Sequence, residues 1–391
     1  MNRQIFEGRL LVNMAGAIIR QDTQRPVYGR INWELMYRNA EYHKVANIAY
    51  LGILGSNVKK DSRWRERFFD QYQAALRYSE IWQEAELEIL ALMDMKEVPC
   101  TILTSSSIRE LYQLQEAAAN NPLRLFIDPQ NYVLAKGFLV DLGYETDKVY
   151  KGFGERMKRI SGFCVEIYYE LPFRTPQYEK KMVHLLEQAH IRTPYQFIRC
   201  FSLEGEFVFR AAEAVYRYAT DELLIRDLLD LYIFYKTVRE EINEGFIRDF
   251  ICDLSIDDMT QLLMQLARMW FGDKADPVFG TPSEDMQVYD ALENRILSRG
   301  TIKKETNSQA LFIERMLEEV EKKEVSREKW RRWKKSAKEK YNAVRTKLRW
   351  VFPEYKYMCG LYPFIERIPL LLPVGWLRRD IRLLLQMIKN D

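Results

Sequence analysis

The chain has little of what most metal and nucleophile chemistry is built from. It holds only three histidines, His43, His184 and His190, and none has metal-ligand spacing with a cysteine or aspartate partner. That leaves zinc chemistry and a Ser-His-Asp triad poorly supported. The five cysteines, Cys100, Cys164, Cys200, Cys252 and Cys359, are odd in number, scattered, and form no Cys-x-x-Cys pair. They are expected to be reduced thiols, three of them in apolar strand-like stretches. No segment has the long uncharged apolar run of a membrane-spanning helix. The nearest, Ile368 to Leu377, is short and holds Pro369 and Pro373. The N-terminal stretch is amphipathic, with Glu7 and Arg9 breaking the apolar run that a signal peptide needs. No internal repeat or low-complexity tract is present.

Charge of one sign is also scarce overall, since the net is only +3 over 391 residues. Its distribution is uneven. Residues 321–349 carry 13 Lys and Arg against 4 Asp and Glu, an excess of +9 that leaves the rest of the chain at −6. A mildly acidic body with a basic tail follows.

What is present reads as an α+β protein. A small mixed sheet is flanked by N- and C-terminal helical regions. Residues 1–95 follow helical periodicity, including a long stretch from Asp61 to Met95. The period then changes. Pro99 to Leu103 and Leu123 to Ile127 read as short buried strands, the second ending in a turn at Asp128-Pro129. Ser105, Ser106 and Ser107 are N-cap candidates for a helix between them. A helix after Pro129 closes at Gly143. Residues 155–171 read as a hairpin. The expected divisions are 1–95, helical; 96–200, the sheet domain; 201–300, a second helical region; and 301–391, a basic helix and a Pro- and aromatic-rich tail.

Several stretches resemble one family. They are WELMYRNAEYHKVANIAYLGI (Trp33 to Ile53), DLGYE (Asp141 to Glu145), VEIYYEL (Val165 to Leu171), IRDLLDLYIFY (Ile225 to Tyr235) and the tail from Phe352 to Arg382. Together they resemble the uncharacterised bacterial nucleotidyltransferase family of the DNA polymerase beta-like superfamily. The resemblance implies transfer of a nucleotidyl group from a nucleoside triphosphate with magnesium. It also implies a Gly-Ser turn for phosphate, an Asp-x-Asp pair on the next strand and a third carboxylate on a later one. Alternate strand residues share a face, so two aspartates two apart converge on one metal pair.

Laid on this sequence without a gap, the family's Lys-Gly-Ser falls on Thr104, Ser105 and Ser106. Its Asp-x-Asp falls on Pro122, Leu123 and Arg124, and its third carboxylate on Glu166. Proline offers no ligand, and arginine brings positive charge to the place of a cation. Asp128 is the one acid on or beside this strand.

The expectation is therefore a nucleotidyltransferase fold with a degenerate catalytic centre, acting as a nucleotide-binding or scaffold module. Glu166 would be a remnant carboxylate paired with Arg124 across neighbouring strands. Ser105, Ser106 and Arg124 are the candidate phosphate contacts, and no metal ligand is assigned. Magnesium and a nucleoside triphosphate belong to the alternative of a divergent active enzyme. Arg226 and Asp230, four apart, suggest an ion pair on one helix face. The third reading is an adaptor whose basic helix, 321–350, meets an anionic membrane surface or nucleic acid. The expected location is cytoplasmic, at the membrane periphery where that tail engages lipid.

Overall fold

The computed structural model describes residues 5–22, 31–56, 63–104, 106–118, 120–173, 176–273, 275–277, 279–283, 285–299, 354–362, 366 and 368–389. The chain forms two compact units, 1–305 and 306–391. The basic helix expected at 321–350 lies outside the described residues.

The first unit begins with α1 (Phe6–Arg20), α2 (Trp33–Tyr42), α3 (Ala46–Leu54) and α4 (Arg63–Met95). The Asn32 side chain caps α2 by accepting from Leu35 N at 3.2 Å. The long periodic stretch that ends at Met95 is one 33-residue helix. Strands β1 (Cys100–Thr104) and β2 (Leu123–Ile127) follow where the period changes. Then come α5 (Pro129–Asp141), β3 (Glu145–Tyr150), β4 (Gly154–Lys158), β5 (Cys164–Tyr168), α6 (Pro176–Glu187), β6 (His190–Ile191) and β7 (Ile198–Cys200). Pro129 occupies the first turn of α5, where its missing N–H costs nothing. Gly143 ends that helix at φ +84°, a left-handed backbone that favours glycine. Five more helices complete the unit: α7 (Leu203–Ala219), α8 (Ile225–Val238), α9 (Glu244–Leu254), α10 (Asp257–Phe271) and α11 (Met286–Leu297).

The seven strands form one mixed sheet in the order β3-β4-β5-β2-β1-β7-β6. The pairs β2/β5 and β1/β7 are parallel and the remainder antiparallel. Strand alternation splits the side chains between two cores. Leu123, Leu125 and Ile127 of β2, with Val165 and Ile167 of β5, pack against Trp82, Ile89 and Leu90 of α4 and Ala135 and Leu139 of α5. The opposite face meets a larger core shared by α1–α3 and α7–α11. The two helical regions, far apart in sequence, thus bury their apolar faces together on one side of the sheet.

Residues 106–118 correct one expectation. The serines lead into two 3₁₀ turns, Ser106–Leu111 and Gln115–Ala117, rather than an α-helix. Carbonyls that helical N–H groups would otherwise take are held by side chains. Asn47 Nδ2 donates to the carbonyls of Glu116, Ala117 and Ala118 at 2.8, 3.1 and 2.8 Å. Arg109 Nη1 donates to Gln115 O at 2.8 Å.

In the second unit, α12 (Tyr355–Leu361) is followed by a 3₁₀ turn at Pro369–Leu371 and by α13 (Leu372–Lys389).

Candidate functional site

The site expected from the sequence lies on the face of the sheet that meets the shared helical core. Arg124 and Glu166 are direct partners in the parallel β2/β5 ladder. Arg124 Nε lies 3.4 Å from Glu166 Oε2, with both side chains buried. The expected cross-strand pair is present. This is ion-pair distance without hydrogen-bond geometry, and Nε has no hydrogen-bond partner. The stronger bond of Arg124 goes elsewhere: Nη1 donates to Glu213 Oε2 on α7 at 2.8 Å. Its guanidinium also stands 5.4 Å from the Tyr168 ring centroid and 5.8 Å from that of Phe209.

The other partners of Glu166 come from the neighbouring β3–β4 hairpin and from its own strand. Arg156, its register partner on β4, donates to Oε1 from Nε at 2.9 Å and from Nη2 at 2.6 Å. The Tyr150 hydroxyl donates to the same oxygen at 2.8 Å, and the Tyr168 hydroxyl to Oε2 at 2.7 Å. Glu213 is equally committed. Its Oε1 accepts from Arg217 Nη2 at 2.7 Å, and Arg217 Nη1 continues to Asp227 Oδ1 at 2.7 Å. Asp227 Oδ2 in turn accepts from Leu224 N at 3.0 Å, holding the start of α8.

Three arginines and three carboxylates therefore interlock across β2, β4, β5, α7 and α8. Burial by itself raises the Glu213 carboxyl, but Arg124 and Arg217 outweigh it and bring it down to about 2. Glu166 is likewise held below the ordinary carboxylate range, Arg124 and Arg156 overcoming burial. Burial works to lower Arg124, yet Glu213, Tyr168 and Glu166 leave it well above the usual arginine value.

A second buried network stands beside the first and joins two of the stretches that carried the family resemblance, Trp33 to Ile53 and Ile225 to Tyr235. Arg226 is 1% exposed. Its Nε donates to Lys44 O at 2.9 Å, Nη1 to Ala117 O at 2.9 Å and to the Tyr112 hydroxyl at 3.1 Å, and Nη2 to Asn47 Oδ1 at 3.0 Å. The expected Arg226–Asp230 pair is not made. Asp230 instead accepts from the Tyr112 hydroxyl and from Asn121 Nδ2. His43 Nδ1 accepts from Ile225 N at 3.2 Å, so burial leaves the ring neutral and brings its pKa down to about 3. Trp33 to Ile53 and Ile225 to Tyr235 are thus two halves of one joint.

A family model described as uncharacterised nucleotidyltransferase matches residues 29–272, more than half of the chain. The chain belongs to this family. Searches of curated proteins and of solved structures gave no match. The matched span contains β1 to β7 and both networks.

The residues present do not fit the magnesium pair that the fold implies. Magnesium demands near-octahedral oxygen ligation, largely from carboxylates, phosphates and water. Pro122 offers no side-chain donor, and Arg124 extends a guanidinium between the two carboxylates nearest the place. Each oxygen of Glu166 and Glu213 already has an arginine nitrogen within ion-pair range. Asp128 gives no substitute, since it lies exposed beyond the far end of β2, before α5. No group of three His, Cys, Asp or Glu among the described residues could hold a metal ion. Ser105 lies outside the described residues, and Ser106 opens the 3₁₀ turn. A cavity lined by Arg210, Glu213, Ala214, Asp227, Asp230 and Leu231 holds about 40 Å³. Ligand pockets span roughly 300–1,000 Å³.

The sequence reading named Arg124 and Glu166 but missed Arg156, Glu213, Arg217 and Asp227. Two signals were available. Glu213 and Arg217 stand four apart on α7, the spacing of a pair on one helix face, and Arg156 sits in the hairpin opposite Glu166.

Proposed function

We propose that the protein is a catalytically silent member of the nucleotidyltransferase family, working as a binding or scaffold module. The observation that carries this reading is Arg124, whose guanidinium joins Glu166 to Glu213 at the position that the family pattern gives to its second metal-binding aspartate. A cation fixed by two carboxylates leaves no vacancy for a second cation and repels one that approaches. In-line nucleotidyl transfer needs positive charge on the attacking and leaving oxygens. An arginine whose charge is already neutralised by glutamates does not supply it.

The test is transfer of α-labelled nucleoside monophosphates, with pyrophosphate release, from each of the four triphosphates in magnesium and in manganese. The expected result is no turnover above a protein-free control. Metal-dependent turnover that disappears in Glu166→Gln would overturn the proposal.

One observation favours the binding form of this reading. Lys44 is solvent-exposed and makes no ion pair among the described residues. It nevertheless lies within electrostatic reach of Asp227, Arg217, Arg156 and Glu166. With the inner three arginines matched by three carboxylates, Lys44 is the surplus cation on the rim, where a phosphate would dock without metal. Calorimetric titration with ATP in excess chelator separates the two forms. Heat that is lost in Lys44→Ala selects nucleotide holding. No heat selects the scaffold.

A further inference from the structure

The second unit carries a feature that the nucleotidyltransferase fold does not account for. Leu370 is 90% exposed, Val374 53%, Leu377 64% and Ile381 48%. The first precedes α13 by two residues and the other three lie on it. Their spacing of four, three and four places them on one stripe of a helix. The sequence extends the same spacing through Leu384 and Ile388. Four large aliphatic side chains turned to water in one row ask for a partner, because apolar surface left in water is unfavourable relative to its burial.

The charge of the helix points to what that partner is. Between Leu372 and Lys389 the basic residues are Arg378, Arg379, Arg382 and Lys389, against the single acid Asp380. The net is +3 on 18 residues. We propose that α13 is an in-plane membrane helix that lays the stripe from Leu370 to Ile381 into the interface of an anionic lipid surface. An apolar face with arginines on the polar face, and an aromatic residue at the level of the headgroups (Trp376 in this helix), is the arrangement that binds in this way. The 18 residues measure roughly 27 Å along the axis. None of the described helices is long and apolar enough to cross a membrane, so α13 lies on the surface rather than through it.

Two other occupants fit less well. The spacing also suits a helix of a second copy, but Leu370 to Ile388 spans fewer than the three to four heptads that sustain a coiled coil. Two helices of +3 each also repel. A nucleic acid would satisfy the arginines and leave the aliphatic stripe in water, since backbone binding rests on phosphate charge. An anionic bilayer satisfies both. The excess of +9 in residues 321–349, earlier in the same tail, adds attraction to an anionic surface.

The test uses the full chain in flotation with vesicles of phosphatidylcholine alone and of phosphatidylcholine with phosphatidylglycerol. The double variant Leu370→Asp, Leu377→Asp changes only exposed positions, and circular dichroism checks that its helix content is unchanged. We expect the wild-type chain to float with the anionic vesicles, at least tenfold more than with the neutral ones, and the double variant to stay in the soluble fraction. Wild-type protein that stays soluble with anionic vesicles overturns the proposal. So does equal flotation of the double variant, which would assign the binding to the upstream basic residues. A concentration-dependent dimer abolished by the double variant, without flotation of the wild type, would give the stripe to a second copy and overturn it as well.

Discussion

Arg124 on β2 and Glu213 on α7 meet at 2.8 Å, 89 residues apart in sequence. The bond ties the sheet to the first helix of the C-terminal bundle in a place from which water is nearly excluded. Removing one partner of such a pair leaves the other charge buried and unpaired, at roughly 3–5 kcal/mol. Arg124→Met is expected to fall at the lower end of that range by urea denaturation, because Glu213 Oε2 loses its donor while Arg217 still holds Oε1, and Glu166 loses its ion pair across the strands. Adding Glu213→Gln to it should restore part of the loss. A double variant as unstable as the sum of the two singles would show that the residues do not act on each other.

Acid should weaken the fold in two stages. His43 is neutral in the folded chain down to about pH 3, whereas an unfolded histidine takes its proton near ~6.5. The unfolded state therefore binds the extra proton first, and stability falls from about pH 6.5 downward, by up to about 1.4 kcal/mol per pH unit. Glu213 adds a second stage. Its folded pKa of about 2 lies below the ordinary ~4.3, so its contribution is whole above that ordinary value and drains as the pH falls toward 2. Urea midpoints measured across this range should show Glu213→Gln flattening only the lower stage. His43→Asn should flatten the upper one.

Asn47 donates to three consecutive carbonyls and accepts from Arg226. Asn47→Asp keeps the acceptor and the size but cannot donate. The carbonyls of Glu116 and Ala118 lose this donor, Ala117 O keeps only Arg226, and a charge replaces a dipole beside them. Each unmade buried hydrogen bond costs about 1–3 kcal/mol. A loss of several kcal/mol is expected in thermal unfolding. Amide exchange should speed up first in residues 106–118.

Gly16 lets α1 pass close to the end of α10. A Cβ there would stand 2.3 Å from Trp270 O and 2.9 Å from Arg20 Nη1, the group that now donates to that carbonyl. Gly16→Ala should destabilise by about 1–3 kcal/mol through overpacking, although alanine is the better helix former. A rise in melting temperature would contradict the close approach.

The parts of this fold that rest on local pattern were legible in the sequence. LRLFI at Leu123 to Ile127 is an apolar run bounded by Pro122 and Asp128-Pro129, and it is a strand over those five residues. The long periodic stretch ending at Met95 is one helix from Arg63, and the hairpin stands where the alternation put it. The failures share a cause. Ser105 to Ser107 look like a helix start, and Arg226 and Asp230 look like an ion pair, because local spacing favours both. In the folded chain Asn47 and Tyr112, distant in sequence, take the groups that those local bonds would have used. Glu213 was overlooked for the same reason: nothing near it in the sequence announces that β2 will bring an arginine to it.

The helix α4 touches both cores. Phe68, near its start, packs with α2 and α3, while Trp82, Ile89, Leu90 and Met93 pack beneath the sheet. Each residue of an α-helix advances the rotation by about 100°. Inserting or deleting one residue between Phe68 and Trp82 would therefore turn one set of side chains out of its core while the other stayed in place. Over that interval the chain is free to change its residues on the outer face but not its length. Among homologues, gaps should be missing there even where identity is low.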